Sequence, residues 1–311
     1  FKDSVNNKTN LSNRGVVVGS DLDGASLLFN DRDETAVNFT AGINIAKYYS
    51  NGNIDFDKLA GAVRMVVDAL NKAIDVSEYP TAEARRSALE MRPIGIGLFN
   101  LSGLFAAARL PFACLEAQNI GAYLCEFIYY HALNRSAELA KIHGPYSKCG
   151  GSDFSKGLFQ QDYDGDKFEN DGLWKEIECN VKCKCYGTRN SQVTSQISSS
   201  SACVLGAFDP QEGCDLFFDH KRDRAGFKRS VDRHIVEMLK ERGVEWNSKT
   251  EIAFEKFGEK FMDFGEIGDK MLEGSSDAFR TIWSVCEMSL MRMARRRGAF
   301  IDQGHFHNAY L

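Results

Sequence analysis

The residues able to do chemistry fall into a few clusters. Ser198-Ser199-Ser200-Ser201-Ala202 is a run of small hydroxyl residues. Backbone N–H and side-chain O–H groups in such a run can converge on an anion such as a phosphate; the plain alternative is a flexible loop. Cys179, Cys183 and Cys185 lie close together, but their spacing is not that of a common zinc knuckle and no second Cys or His pair is near, so they read as thiols without a metal. His305 and His307 stand at strand spacing and would point to one face of a strand, where both imidazoles could meet a metal or anion; two unrelated histidines is the simpler reading. Asp21, Asp23, Asp31 and Asp33 make an acidic stretch without the ligand spacing or terminal Glu of a calcium loop, hence a solvated loop. Gly95-x-Gly97 lacks the third glycine and helix start of a dinucleotide fingerprint. No metal site and no cofactor are expected from these clusters.

The elements that must position such residues alternate between strand and helix. Gly15-Val16-Val17-Val18-Gly19 is a short β-branched run that predicts a buried strand. From Asp55, the residues Leu59, Val63, Val66, Val67, Leu70 and Ile74 recur every three or four positions and predict an amphipathic helix ended by Tyr79-Pro80. Thr81 is placed to cap a second, short helix ahead of Glu83. The apolar, glycine-dotted stretch from Arg92 to Phe99 predicts a buried strand approached closely by another backbone. A long helix is predicted from about Leu115 to Ile142, stopped by Gly144-Pro145, and a polar surface excursion from Asp153 to Gly172. Arg189-Asn190-Ser191 leads into a Ser/Thr-rich loop, Thr194 to Ser201. Helices are predicted from His234 to Arg242, ended by Gly243, and from about Asp277 to Arg297, the latter with Phe279, Ile282, Cys286, Leu290 and Met293 on one face. Arg295, Arg296 and Arg297 would sit in its last turn, favoured by the helix dipole, with Gly298 as cap and Ala299-Phe300-Ile301 as a closing strand. Such alternation indicates an α/β architecture with a largely parallel sheet.

Composition excludes several classes. The 311 residues are 43% hydrophobic and 26% charged, with five prolines and a net charge of −5. That is a globular composition with material for a core, without a disordered Pro-rich tract and without a global positive field for nucleic acid or an anionic membrane. No apolar run approaches the ~18 residues of a membrane span. Nine cysteines, an odd number without a secreted spacing pattern, indicate a reducing, intracellular and cytoplasmic setting rather than a disulfide framework. The first residue is Phe1 rather than Met, so a fragment or processed chain is expected and organelle targeting stays open. With no repeat and no linker, residues 1–311 read as one domain.

Taken in order, several segments resemble the large catalytic (alpha) subunit of class I ribonucleotide reductases, most closely the eukaryotic type. They are Phe1-Lys2-Asp3-Ser4; Leu70-Asn71-Lys72-Ala73-Ile74-Asp75 with Tyr79-Pro80; Arg92-Pro93-Ile94-Gly95-Ile96-Gly97; Glu138-Leu139-Ala140-Lys141 with Gly144-Pro145-Tyr146; Ser155-Lys156-Gly157; Gly187-x-Arg189-Asn190-Ser191; Glu241-Arg242-Gly243; and Arg297-Gly298-Ala299-Phe300-Ile301-Asp302-Gln303. The resemblance implies a ten-stranded α/β barrel made of two half-barrels around a central finger loop. This chain would be the second, C-terminal half including the finger loop, at about residues 20–26. A half-barrel leaves sheet edges and an apolar interior open, so a missing N-terminal half-barrel or another subunit is the implied partner.

The chemistry is expected to differ. The family's finger loop reads Asn-Leu-Cys-x-Glu: the cysteine becomes the thiyl radical, the glutamate is the base and the asparagine helps hold the sugar. Counted without a gap from Phe1, these fall on Asp21, Asp23 and Ala25. A carboxylate cannot form a thiyl radical and alanine cannot accept a proton. A second family cysteine, half of the dithiol that reduces the substrate, falls on Asn38. The family's phosphate loop, Pro-Thr-Ala-Ser-Thr-Ala, aligns with Ile197 to Ala202, so Ser198, Ser199, Ser200, Ser201 and Ala202 remain candidate contacts for the phosphates of a ribonucleoside diphosphate. Beyond it the family's Ile-Glu-Pro becomes Gln211-Glu212-Gly213, and its Gln-Ser-Leu-Asn becomes His305-Phe306-His307-Asn308. The expectation is a pseudoenzyme, structural or regulatory, that needs none of the radical-generating small subunit the family uses. The competing reading is a fragment of an active ribonucleoside-diphosphate reductase making deoxyribonucleotides for DNA synthesis; it would require a cysteine from elsewhere, Cys114 being the nearest downstream.

Overall fold

The computed structural model describes residues 2–163, 171–178, 180–181, 186–197, 221–223, 226–228, 233–241, 243–257, 276–280 and 285–306. After a short helix α1 (Lys2–Asn7), the chain runs in extended loops to strand β1 (Phe39–Asn44). A hairpin of β2 (Tyr49–Ser50) and β3 (Asn53–Ile54) leads to helices α2 (Phe56–Val76) and α3 (Ala82–Met91), then strand β4 (Ile94–Phe99). Helices α4 (Leu101–Ala107) and α5 (Leu115–His143) follow, with short helices α6 (Asp153–Lys156) and α7 (Asp171–Glu178). The described part closes with hairpin strands β5 (Lys221–Asp223) and β6 (Gly226–Lys228) and helices α8 (Arg233–Glu241), α9 (Ser248–Phe257) and α10 (Glu287–Gly298).

β1 and β4 pair in parallel, Phe39 opposite Ile94 through Asn44 opposite Phe99. Two further extended segments continue the sheet. Residues 192–196 join β4 through Ile94 N–H to Gln192 O (3.1 Å) and Ser195 N–H to Ile96 O (3.3 Å), and residues 302–306 join them in turn through Gln196 N–H to Gly304 O (3.0 Å) and Phe306 N–H to Gln196 O (2.9 Å). Both junctions are parallel. Parallel neighbours need a crossover; α2 and α3 make the first, and α4 and α5 lie on the second. The core sits between sheet and helices: Leu59, Val63, Val67 and Ile74 of α2, Ile94, Ile96 and Leu98 of β4, and Leu124, Ile128 and Leu133 of α5 are buried together.

Local rules explain most boundaries. The Asp55 carboxylate caps α2 by accepting Lys58 N–H at 3.0 Å, and the Thr81 hydroxyl caps α3 by accepting Ala84 N–H at 3.2 Å. The 29-residue α5 ends at Gly144, which takes φ +80°. Gly95 and Gly97 are required by the third strand: a Cβ on them would lie 2.7 Å from Ser195 Cβ and 2.6 Å from Ser195 O. α8 begins one residue before the predicted start, and Gly243 follows it at φ +76°.

Several expectations are corrected. Residues 15–19 are not a strand: Val17 is 2% exposed while Val16 and Val18 are 51% and 62% exposed. The segment is held singly, Asn6 donating to Val17 O (3.0 Å) and accepting Val17 N–H (2.7 Å). The surface excursion expected from Asp153 is only partly on the surface in its described part: Asp153, Phe154, Phe159, Gln160 and Gln161 are in the interior, while Lys156, Leu158 and Asp162 are exposed. The Ser/Thr-rich loop begins later than expected, because Thr194, Ser195 and Gln196 belong to the sheet. The last helix begins at Glu287, with exposed Cys286 as its N-terminal flank rather than on its buried face; Ile282 and the side chain of Phe279 lie outside the described residues. Arg297 lies in the last turn as expected and is almost fully buried, but Gly298 is still helical rather than a left-handed cap, and Ala299-Phe300 form a turn, the strand coming at 302–306. β1 and α4 had no counterpart in the sequence reading.

Candidate functional site

The finger segment is a tight turn laid on the sheet. Asp21 O accepts Gly24 N–H at 3.2 Å, and the Asp21 carboxylate folds back to accept the N–H groups of Ala25 (2.9 Å) and Ser26 (3.1 Å). Such local bonding is what an Asp offers at the first position of a turn, and Gly24 supplies the φ of +71°. Asp21, Leu22 and Asp23 are exposed at the tip.

Ala25, by contrast, is fully buried. Its carbonyl accepts Ser195 Oγ–H at 2.7 Å and Gly304 N–H at 2.8 Å, tying the turn to the third and fourth strands. The approach requires glycine at 304, since a Cβ there would lie 1.9 Å from Gly24 O. Asn38, at the entry to β1, completes the fastening: its amide donates to Ser26 Oγ (2.9 Å) and Gln303 Oε1 (2.8 Å). Gln303 in turn donates to Ile94 O at 2.8 Å. Ala25 and Asn38 therefore meet at one junction, while Asp21 holds the turn internally and Asp23 points to solvent.

The fourth strand is locked by Asp302, which sequence reading quoted only as part of a motif. Its fully buried carboxylate accepts Val193 N–H (2.8 Å), Thr194 N–H (2.9 Å) and Thr194 Oγ1–H (3.2 Å). Burial pushes its pKa up to about 7, against the lowering pull of the hydrogen bonds from Thr194 and Val193.

Behind the sheet, several family-like segments converge on a buried amide node. Asn71 of α2 and Asn190 exchange side-chain hydrogen bonds, each at 3.1 Å. Asn190 also accepts from Ser136 Oγ (2.9 Å) and donates to Arg92 O (2.7 Å). Arg92, held at φ +49°, reaches Asn71 O (3.1 Å) and the Asp75 carboxylate (2.7 Å). A second node centres on Asn10, which donates to Ser191 O (2.6 Å) and Tyr146 Oη (3.3 Å) and accepts Phe154 N–H (2.7 Å). The Asn-Ser pair at 190–191 and Tyr146 are thus structural joints. A signal for this existed: polar residues inside otherwise apolar, buried segments must find partners.

The remaining candidates distribute as follows. Ser198, Ser199, Ser200, Ser201 and Ala202 lie outside the described residues, as do Cys179, Cys183, Cys185, Gln211, Glu212, Gly213, His307 and Asn308. His305 is half-buried and faces buried Arg297, with Nε2 to Nη2 at 3.3 Å. Asp31 caps its own loop by accepting Asp33 and Glu34 N–H, each at 2.8 Å, instead of joining Asp21 in a cation cage. Among the described residues no group of three or more His, Cys, Asp or Glu is arranged to hold a metal ion, and no helix is long and apolar enough to cross a membrane. Of the described cysteines, Cys114 caps α5 through its sulfur, Cys125 and Cys149 are buried in apolar clusters, and Cys286 precedes α10.

The described residues thus form a parallel α/β sheet with a turn fastened across it. The family is given by comparison: the model for the ribonucleotide reductase barrel domain matches residues 1–311, and the chain belongs to that family. It is 34% identical over 313 residues to the ribonucleoside-diphosphate reductase large subunit of Danio rerio, covering all of this chain and 38% of that protein. It is 34% identical to the large subunit of Variola virus and 32% identical to that of Caenorhabditis elegans, covering all of this chain and 39% of each. The chain thus spans about two fifths of the length of these relatives. Among solved structures, the Actinobacillus ureae class Id ribonucleotide reductase alpha subunit superposes with a TM-score of 0.71 at 18% identity, over 98% of this chain and 50% of that one, a likeness of fold.

Proposed function

We propose that this chain is a ribonucleotide reductase large-subunit homologue that has lost the radical chemistry and serves as a structural or regulatory subunit. The observation that carries the reading is the state of the finger turn. The position counted to the radical cysteine is Asp23, whose side chain is exposed at the turn. The position counted to the base is Ala25, fully buried and tied through its carbonyl to Ser195 and Gly304. The position counted to a reducing cysteine is Asn38, whose amide nitrogen donates to Ser26 and Gln303. Thiyl formation needs a sulfur and proton abstraction needs a base of suitable pKa; the junction has hydrogen bonds in place of both.

Nucleotide binding through Ser198 to Ala202 is compatible with this reading. The run directly follows a strand that ends at the carboxyl edge of a parallel sheet, where such folds take ligands. The partner is a complementary half-barrel or another subunit that covers the sheet. No cofactor and no radical-generating small subunit is required, and the setting is a reducing, cytoplasmic one.

The test is reduction of the four ribonucleoside diphosphates by the full-length protein, supplied with a radical-generating small subunit and a dithiol reductant. No deoxynucleotide above the level of the small subunit alone is expected. Turnover above that level would overturn the proposal and establish the alternative, part of a working reductase. Calorimetric titration with the same diphosphates then separates nucleotide binding from a purely structural role.

A further inference from the structure

Hairpin β2–β3 turns on Asn51-Gly52, the single Asn-Gly pair in the sequence. Both residues are exposed and left-handed, at φ +51° and +81°, as a tight two-residue turn demands. The turn explains the residue types but not how loosely they are held. In other described loops asparagine side chains fasten the backbone: Asn30 accepts Ala36 N–H at 2.7 Å, Asn13 donates to Lys148 O at 2.9 Å, and Asn247 accepts Lys249 N–H at 2.9 Å. Among the described residues neither the Asn51 side chain nor the Gly52 N–H makes a hydrogen bond. A Cβ on Gly52 would meet nothing within 4 Å, so the space beside it is open. The hairpin is also short, with Tyr49 opposite Ile54 and Ser50 opposite Asn53, and so small a two-stranded ribbon opens readily.

We propose that Asn51 is a site of spontaneous deamidation, so that the β2–β3 hairpin is the part of this protein that ages first. Asparagine is a chemically labile residue, and glycine after it puts no Cβ in the way of ring closure. As the hairpin opens, the Gly52 nitrogen attacks Asn51 Cγ. The N–Cγ bond forms, the Cγ–Nδ2 bond breaks, and ammonia leaves with the proton given up by the Gly52 N–H. Water then opens the succinimide at either carbonyl. Opening at Cγ gives aspartate; opening at the main-chain carbonyl gives isoaspartate, whose backbone runs through Cβ. Either product adds a negative charge, and isoaspartate adds a backbone carbon that breaks the pairing of Ser50 with Asn53. β3 runs directly into Asp55, the cap of α2, so the disturbance reaches the start of that helix. The finger tip supplies an internal comparison. Asp23-Gly24 is also exposed, or nearly so, with Gly24 at φ +71°. There, however, Gly24 N–H donates to Asp21 O at 3.2 Å and the Asp21 carboxylate clamps the turn. The nucleophile is engaged at the tip and free in the hairpin, and the proposal stands independently of whether the finger turn is catalytic.

The experiment incubates the full-length protein from mildly acidic to mildly alkaline pH. Peptide mass mapping reads the exchange of amide nitrogen for oxygen, and methyl transfer by a protein isoaspartate methyltransferase reads the rearranged backbone. Asn51 is expected to convert faster than every other asparagine, at a rate that rises with pH, and hydrogen exchange in the converted protein should rise over residues 49–55. Gly52→Ala should slow the conversion about tenfold or more. Asp23→Asn makes a second Asn-Gly pair, and position 23 of that variant should convert about tenfold more slowly than Asn51, because its turn must first be unclamped. Asn51→Ser has no carboxamide and should form no acidic product at this turn. Unchanged circular dichroism verifies the fold of each variant. Four results would each overturn the proposal: Asn51 intact while other asparagines have reacted, no slowing in Gly52→Ala, equal rates at positions 23 and 51 in Asp23→Asn, or unchanged exchange over residues 49–55 after full conversion.

Discussion

The amide node behind the sheet and the finger turn in front of it differ in how much each residue is obliged to do. At the node, Asn71, Asn190, Ser136 and Arg92 are buried and linked to one another across α2, α5, the start of β4 and the third strand. A change at any one leaves the others' polar groups buried without partners, which costs more than a formed bond contributes. At the finger tip, Asp21 and Asp23 are exposed, Asp21 bonds only within the turn, and Ala25 and Asn38 tie the turn to the sheet. The frame therefore tolerates little change at the node, whereas a reactive tip can be replaced with little effect on folding. This is why segments such as Arg189-Asn190-Ser191 still resemble the family while the tip does not.

The contrast can be broken by substitution. Asn190→Ala removes four side-chain hydrogen bonds at once and should cost about 3–5 kcal/mol, read from urea denaturation. A cost below 1 kcal/mol would mean that water rebuilds the node and that the contrast with the finger is false. Ala25→Glu, which would put a base where the family has one, should cost about 3 kcal/mol or more, because an unpaired carboxylate enters a fully buried site. Full stability together with gained proton-transfer chemistry would argue for a more open junction. Asp302→Asn presents an amide nitrogen to backbone donors and should cost about 2–3 kcal/mol.

Asp302 also makes a pH prediction. Its folded pKa, raised to about 7 from an ordinary value near 3.8, means that the native state holds the proton more tightly than the unfolded chain does. Its contribution to stability is then fully present below the ordinary carboxylate range and declines as pH rises through 7. The difference in the pH dependence of stability between wild type and Asp302→Asn isolates that slope, and parallel curves would refute it. The smallest effect belongs to the tip: Asp23→Cys should change stability by less than about 0.5 kcal/mol, against about 1 kcal/mol for Asn38→Ala, which loses the bonds to Ser26 and Gln303.

Much of the frame was legible in the residues. The period of Leu59, Val63, Val67 and Ile74 and the caps at Asp55, Thr81 and Gly144 each state a local requirement that is met locally, while the glycines at 95 and 97 announce the close approach that Ser195 makes from the third strand. The misreadings share a cause. Val16-Val17-Val18 has the composition of a strand, yet no neighbouring strand pairs with it among the described residues; Asn6 bonds the Val17 backbone, and the Val17 side chain packs with Leu11 and Leu28. Asp153 looks like a surface residue because composition cannot count the partners, Lys156 and Tyr163, that compensate its burial.

The sequence alone therefore determined the α/β alternation, the helix limits and the family resemblance, because propensity, capping and spacing act within a few residues. Only the tertiary structure decided that Ala25 and Asn38, thirteen positions apart, meet across Ser26, Gln303 and Gly304. It also decided that Asp302 binds the third strand to the fourth and that α10 spends one face on α5 while leaving another open. Those outcomes depend on hydrogen bonds and contacts between segments as many as 265 residues apart, such as Asn38 to Gln303. Their geometry is set by which backbones the sheet brings side by side and by how little space a glycine leaves between them.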